Sequence, residues 1–265
     1  MLIVVLVAFL AAGLTLFSGF GLGSLLLPAF ALLFPLRVAV AATGVVHLLN
    51  NLFKTALLGR HARLPVVLLF GLPGAVAAYF GATLLGALGR SESVMSWRLG
   101  ERVFEVSPLG ITIGLLILIF ASLELHPQGK KISLPPKYLP LGGLLSGFLG
   151  GLSGHQGALR ATFMVRLGLP KEAFLGTSIV CAVVIDIVRL TVYALDMFGP
   201  GVDEQAFKSL ADGWHYVGAG TGAAFLGSYV GRMMIEKVTM DGIRKLVGVM
   251  LLGLGLAILV GIVGQ

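Results

Sequence analysis

Ser146-Gly147-Phe148-Leu149-Gly150-Gly151-Leu152-Ser153-Gly154-His155-Gln156-Gly157 interrupts an apolar stretch, and Ser18-Gly19-Phe20-Gly21-Leu22-Gly23-Ser24 does the same in the first half of the chain. Irregular backbone is expensive in hydrocarbon, because each unpaired N–H or C=O there costs several kcal/mol. It persists only where protein buries it or where it lines a wet cavity. Two such breaks at matching places in two halves point to the binding site of a membrane transporter.

The rest of the 265-residue chain fits that reading: 57% of residues are hydrophobic and 12% charged, about half the charged share of a soluble domain. Apolar segments cover roughly 2–34, 36–58, 64–88, 104–125, 138–168, 171–196, 214–235 and 243–263. Six have the length of a single crossing, about 20 residues. The first and fifth are longer and carry the Gly breaks. The first run lacks a basic flank and reads as a retained helix rather than a cleaved signal. Arg90–Arg102 and Asp196–Gly213 read as loops, and 127–137, with Pro135-Pro136, as a linker between a repeat over 1–126 and a second over 138–265. The single cysteine, Cys181, excludes an internal disulfide and reads as a small buried apolar side chain. The net charge of +7 is scattered between apolar segments, which fits membrane topology rather than nucleic acid.

The halves repeat. Ala39-Val40-Ala41-Ala42-Thr43-Gly44 resembles Ala173-Phe174-Leu175-Gly176-Thr177-Ser178, and Tyr79-Phe80-Gly81 resembles Tyr229-Val230-Gly231. Small residues four apart, Gly74/Ala78/Ala82 and Gly218/Gly222 with Gly227/Gly231, predict close helix packing. If the broken segments crossed straight through, ten basic residues would face seven across the bilayer. If each is a hairpin that enters and returns, one side holds Lys54, Arg60, Arg63, Lys130, Lys131, Lys137, Arg166, Lys171, Arg232, Lys237, Arg244 and Lys245, and the other only Arg37, Arg90, Arg98, Arg102 and Lys208. The second arrangement obeys the positive-inside rule better. The expected fold is therefore an all-α polytopic membrane protein of two inverted repeats, each a Gly-broken helical hairpin plus three spanning helices.

Two polar stripes lie in apolar helices. Thr43, His47, Asn50, Asn51 and Lys54 share one face, as do Ser178, Asp186, Arg189 and Tyr193. Ionisable groups at this depth face the bundle interior and mark substrate or ion pathways. Asp186 and Arg189, three apart, either pair structurally or take part in coupling. Lys54, close to Arg60, is expected to snorkel to the interface. His47 has no neighbour at metal-ligand spacing and reads as a pathway or packing histidine. In the second break His155, Gln156, Gly157 and Arg160 open a half-helix, whose free N–H groups and partial positive charge suit anions. Gly154 precedes them, and Gly21, Gly23 and Ser24 hold the matching place in the first half. Arg160 adds a fork matched to oxyanions, or else pairs with Asp186. The Gly run has no Walker lysine and is no nucleotide loop.

With these motifs in order, Ser146–Gly154, Gly168-Leu169-Pro170-Lys171-Glu172-Ala173 and Gly176-Thr177-Ser178, with Gly19, Gly21, Gly23, Pro28 and Ala39–Thr43 in the first half, the chain resembles the sulfite exporter TauE/SafE family over nearly its whole length. The resemblance implies a bacterial inner-membrane permease for a small anion, notably sulfite or an organosulfonate. His155-Gln156, Arg160 and Gly44 depart from the family's common pattern. The expected substrate ligands are Gly21, Gly23, Ser24, Asn51, Gly154, His155, Gln156, Gly157 and Arg160, and the expected coupling residues are His47, Asp186 and Arg189, with His155, His47 or Asp186 carrying the proton. No cofactor is expected: without an ATP site, an ion or substrate gradient drives transport. The rival readings are a membrane-embedded enzyme, a phosphatase or thiol enzyme, for which no nucleophile–base–orienter set is evident, and an anion channel or accessory subunit. The oligomeric state is left open.

Overall fold

The computed structural model describes residues 1–18, 22–126, 133–199, 204–233 and 240–264. Among these, the chain is built of helices with one small β-hairpin. The first apolar segment is α1 (Leu2–Ser18) followed by α2 (Leu22–Ala31), and α3 (Leu36–Leu58) ends in a 3₁₀ turn, Gly59–His61. A short α4 (Leu64–Val66) passes through a π-helical turn, Val67–Gly71, into α5 (Leu72–Gly89). Strands β1 (Met95–Leu99) and β2 (Arg102–Val106) then lead to α6 (Pro108–Leu125). The second half contains α7 (Leu139–Ser153), α8 (Gly157–Met164), α9 (Lys171–Phe198), α10 (Glu204–Met233) and α11 (Met240–Leu259). Leu36–His61, Leu64–Gly89 and Lys171–Phe198 are each long and apolar enough to cross a membrane. The helices α6 and α11 lie antiparallel, with Gly110 beside Ile258 and Gly248 beside Leu125.

Both broken segments double back. Ring atoms of Phe163, late in α8, lie against Gly142, early in α7. The return is tied by Leu134 N donating to Thr162 O (3.2 Å) and Arg166 Nε to Ser133 Oγ (2.8 Å). In the first half, Val4 from the start of α1 and Phe30 from the end of α2 meet beside Gly220. The hairpins enter from opposite ends of the bundle. One end holds the start of α3, where Leu36 N donates to Gly264 O (3.1 Å), and an ion-pair triad in which Arg37 and Arg90 share Asp196. A cavity of about 420 Å³ opens there, lined by Arg37, Glu105, Ser107, Gln205 and others. The other end holds the α3–α4 turn, where Arg63 N donates to Thr177 Oγ1 (2.8 Å).

Each hairpin packs on the other half. A Cβ on Gly143, Gly147 or Gly151 of α7 would fall on the carbonyl oxygen of Phe70, Gly74 or Ala78. A Cβ on Gly227 of α10 would likewise fall on Phe9 O of α1, and one on Gly231 would come within 2.6 Å of Gly13 O. The expected small-residue packing thus holds for Gly74, Ala78, Gly227 and Gly231. It does not hold for Gly218 and Gly222, which are exposed and face away from other helices; Gly222 has nothing within 4 Å. Gly220, two residues along, takes the inward place.

Two stretches expected as loops are ordered elements. Residues 95–106 form an antiparallel hairpin turning at Gly100 (φ +62°), with Trp97 stacked on Phe104 (4.6 Å) and donating to Val260 O (2.7 Å). β1 alternates apolar and polar residues, Met95, Trp97 and Leu99 against Ser96 and Arg98, whereas β2 places Val103 beside Phe104 and does not. The segment 204–213 begins α10 instead of preceding it: Ala206, Leu210 and Gly213 recur at helical spacing and pack inward, Gly213 against Phe34. Short apolar repeats set among charged residues hid this turn.

Candidate functional site

The two polar stripes face each other where α3 packs against α9, and the second break closes them from the side. Asp186 is fully buried and collects most of the polar contacts. His47 Nδ1 lies 2.6 Å from its Oδ2, and Asn51 Nδ2 donates to the same oxygen at 3.4 Å. Arg189 Nε and Gln156 Nε2 each donate to Oδ1 at 2.8 Å. Arg189 also donates from NH1 to Gly150 O (3.2 Å), and Tyr193 OH to Gly151 O, so α9 grips the end of α7. The i/i+3 pair foreseen in α9 exists, but as part of a network that includes α3 and the break.

Gly154 ends α7 in a left-handed conformation (φ +81°), which a side chain would strain. This turn lets Gln156 enter the interior. Its backbone carbonyl accepts from Ser146 Oγ (3.0 Å), its amide nitrogen reaches Asp186, and its amide oxygen accepts from Arg160 NH1 (3.1 Å). Arg160, in the first turn of α8, also donates from Nε to Ser178 Oγ (2.6 Å). An Arg160–Asp186 ion pair is not what forms: Gln156 stands between them and Arg189 occupies the carboxylate. Arg160 is buried, and neutral groups alone hold it among the described residues. Among the described residues its second terminal nitrogen, Nη2, has no hydrogen-bond partner, which leaves donors for a ligand.

His155 stacks flat on Phe120 (5.2 Å, 6°), with Nδ1 against Ser153 O and Oγ and a buried Nε2 that has no partner among the described residues. Asn51 is tied into the His47–Asp186 pair. Gly23 and Ser24 are buried in the first turn of α2, and Gly23 abuts the Gly154 carbonyl, so the tips of the two breaks meet beside Thr43. Gly157 is the buried first residue of α8. Gly21 lies outside the described residues.

Lys54 departs from its expected place. It does not snorkel: its residue is 5% exposed, and with the Asn50 amide turned to satisfy its neighbours, Asn50 Oδ1 accepts from Lys54 Nζ at 3.2 Å. The Asn50 nitrogen then donates to Ala224 O (3.2 Å) and Ser228 Oγ (2.8 Å) on α10. Helix α10 thus turns the asparagine so that its oxygen faces the lysine. Cys181 is fully buried near Gly71, as expected for a packing residue.

Residues 4–258 match the family model described as sulfite exporter TauE/SafE. The chain belongs to this family. No curated protein and no solved structure matches it. Membership makes the chain a multi-pass membrane transporter of a small molecule, in a family of transporters rather than enzymes. The polar cluster at the second break is then its candidate transport site. Two roles were not foreseen from sequence. Gln156, expected as a substrate ligand, links Arg160 to Asp186, and its signal was an amide placed inside the glycine break; Ser146 as its anchor had none.

Proposed function

We propose that this TauE/SafE member is a secondary carrier of a small sulfur oxyanion, sulfite or an organosulfonate, across the bacterial inner membrane. The observation that carries the reading is Arg160, a permanent charge buried among apolar helices and held, among the described residues, by a hydroxyl and an amide rather than a carboxylate. A buried cation without a counter-charge is costly. An anion docked on its open edge supplies one, assisted by the N-terminus of α8. The His47–Asp186 pair, one amide away through Gln156, is the route by which a proton couples to the anion. Two inverted repeats account for the hairpins entering from opposite ends and for each packing on the third long helix of the other half.

Counterflow of labelled sulfite by purified protein in liposomes tests the reading. Saturable exchange separates a carrier from a channel or an accessory subunit. Arg160→Lys keeps the charge but loses the planar fork, and is expected to weaken binding by about 1–3 kcal/mol; Arg160→Ala is expected to abolish it. Because Gln156 separates Arg160 from Asp186, both variants are expected to fold and melt near the parent. Unchanged sulfite affinity in Arg160→Ala rejects the site.

Orientation has its own test. The Arg60–Arg63 turn is expected in the cytoplasm and Glu92 outside, from the charge asymmetry. In a Cys181→Ser background, cysteines at Arg60 and Glu92, both exposed, should label from opposite sides. Labelling of both from one side defeats the arrangement.

A further inference from the structure

Lys54 lies four residues before the end of α3, close enough for its flexible stem to reach the interface. It turns inward instead, onto an amide oxygen that Ala224 and Ser228 hold in place. Among the described residues no carboxylate meets it. Lys54 lies about two turns beyond His47 on α3, and Ser178, which holds Arg160, lies about two turns before Asp186 on the antiparallel α9, so Lys54 and Arg160 stand at the same level of the bundle. Two buried cations within each other's field repel, and the repulsion is severe where the dielectric is low. Around them Arg189 and Asp186 cancel. Among the described residues, the cluster of Lys54, Arg160, Arg189 and Asp186 therefore holds three basic side chains against one carboxylate.

From this we infer that Lys54 is a second cationic ligand of the transported anion, and that Lys54 and Arg160 together select an occupant carrying two negative charges. The inference rests on the reading of Arg160 as the anion site. A dianion closes the charge surplus, whereas a monoanion leaves one buried cation unmatched. Asn50 and Ser228 position the ammonium and touch no substrate in this arrangement.

Sulfite just above neutral pH, where the dianion predominates, and methanesulfonate, a monoanion, at the same pH, present the same three oxygens on sulfur and serve as probes. Their affinities are measured by isothermal titration on the purified full chain. The parent protein is expected to prefer sulfite by about tenfold or more. Lys54→Met, which suits a bilayer interior, should bring the ratio close to one, mostly by weakening sulfite. Lys54→Arg should retain the preference, which a merely structural lysine would not require. A ratio unchanged in Lys54→Met, or a parent that prefers methanesulfonate, overturns the inference while leaving the Arg160 site standing. Absence of binding of both probes to the parent overturns both readings together. If Lys54→Met is not monodisperse, Lys54→Gln, which keeps a donor to Asn50, takes its place: a ratio near one supports the inference and an unchanged ratio overturns it.

Discussion

Asp186→Asn is expected to abolish accumulation of the anion against its gradient while leaving exchange partly intact. The carboxylate accepts from Gln156, Arg189 and Asn51 and sits against His47. An asparagine preserves much of that hydrogen bonding but carries no charge and binds no proton. On the proposed reading the coupling step is removed, and the route for the anion through Arg160 stays. The change also leaves Arg189 buried without its counter-ion, which typically costs about 3–5 kcal/mol, so a large fall in melting temperature should accompany the transport defect. Asp186→Asn combined with Arg189→Met separates the two effects. Restored melting without restored accumulation assigns the carboxylate to coupling. Recovery of both assigns it to packing. His47→Ala should shift the pH dependence of transport in the same direction as Asp186→Asn, and an unchanged pH profile in both variants would remove the pair from the mechanism.

The second large effect is on assembly. Gly147→Leu should prevent α7 from docking on α5, because even a Cβ there falls on the Gly74 carbonyl oxygen. The obstacle is backbone, so no rotamer change relieves it, and the cost is expected to reach or exceed about 3 kcal/mol, the upper end for overpacking. Gly222→Ala is the control. It is exposed with nothing within 4 Å, and exchanging a helical glycine for alanine should be neutral or stabilise by about 0.5–1 kcal/mol. Fluorescence-detected size exclusion after a temperature series reads both. Equal melting of the two variants would show that the close approach of α5 and α7 does not hold the bundle together.

How far the sequence can be read depends on the kind of signal. Apolar length and the positions of glycine place the helices and both breaks, because hydrocarbon penalises every unpaired backbone group. Helical spacing places the stripes of α3 and α9 inside the bundle, since polar groups at that depth face one another. Partners are harder. Arg160 has two candidate companions at the level of sequence, an anion or Asp186, and only the position of Gln156 between them separates these. Lys54 defies its expected place because distance to a helix end says how far a side chain can reach, not which way it turns. The shared ion pairs of Arg37 and Arg90 with Asp196 leave no trace in the sequence, as they join three helices remote along the chain.

The packing of α1 on α10 and of α7 on α5 bears on how the protein is made. Synthesis delivers α1 long before the groove that accepts it, around Gly227 and Gly231 of α10. The second hairpin, by contrast, finds α5 already in the membrane. Helix α1 must therefore wait in the bilayer or in an insertion factor until α10 has emerged. Nor does a fragment ending at the linker contain the helix that α1 packs against, so the two parts of the gene product can mature only in each other's company.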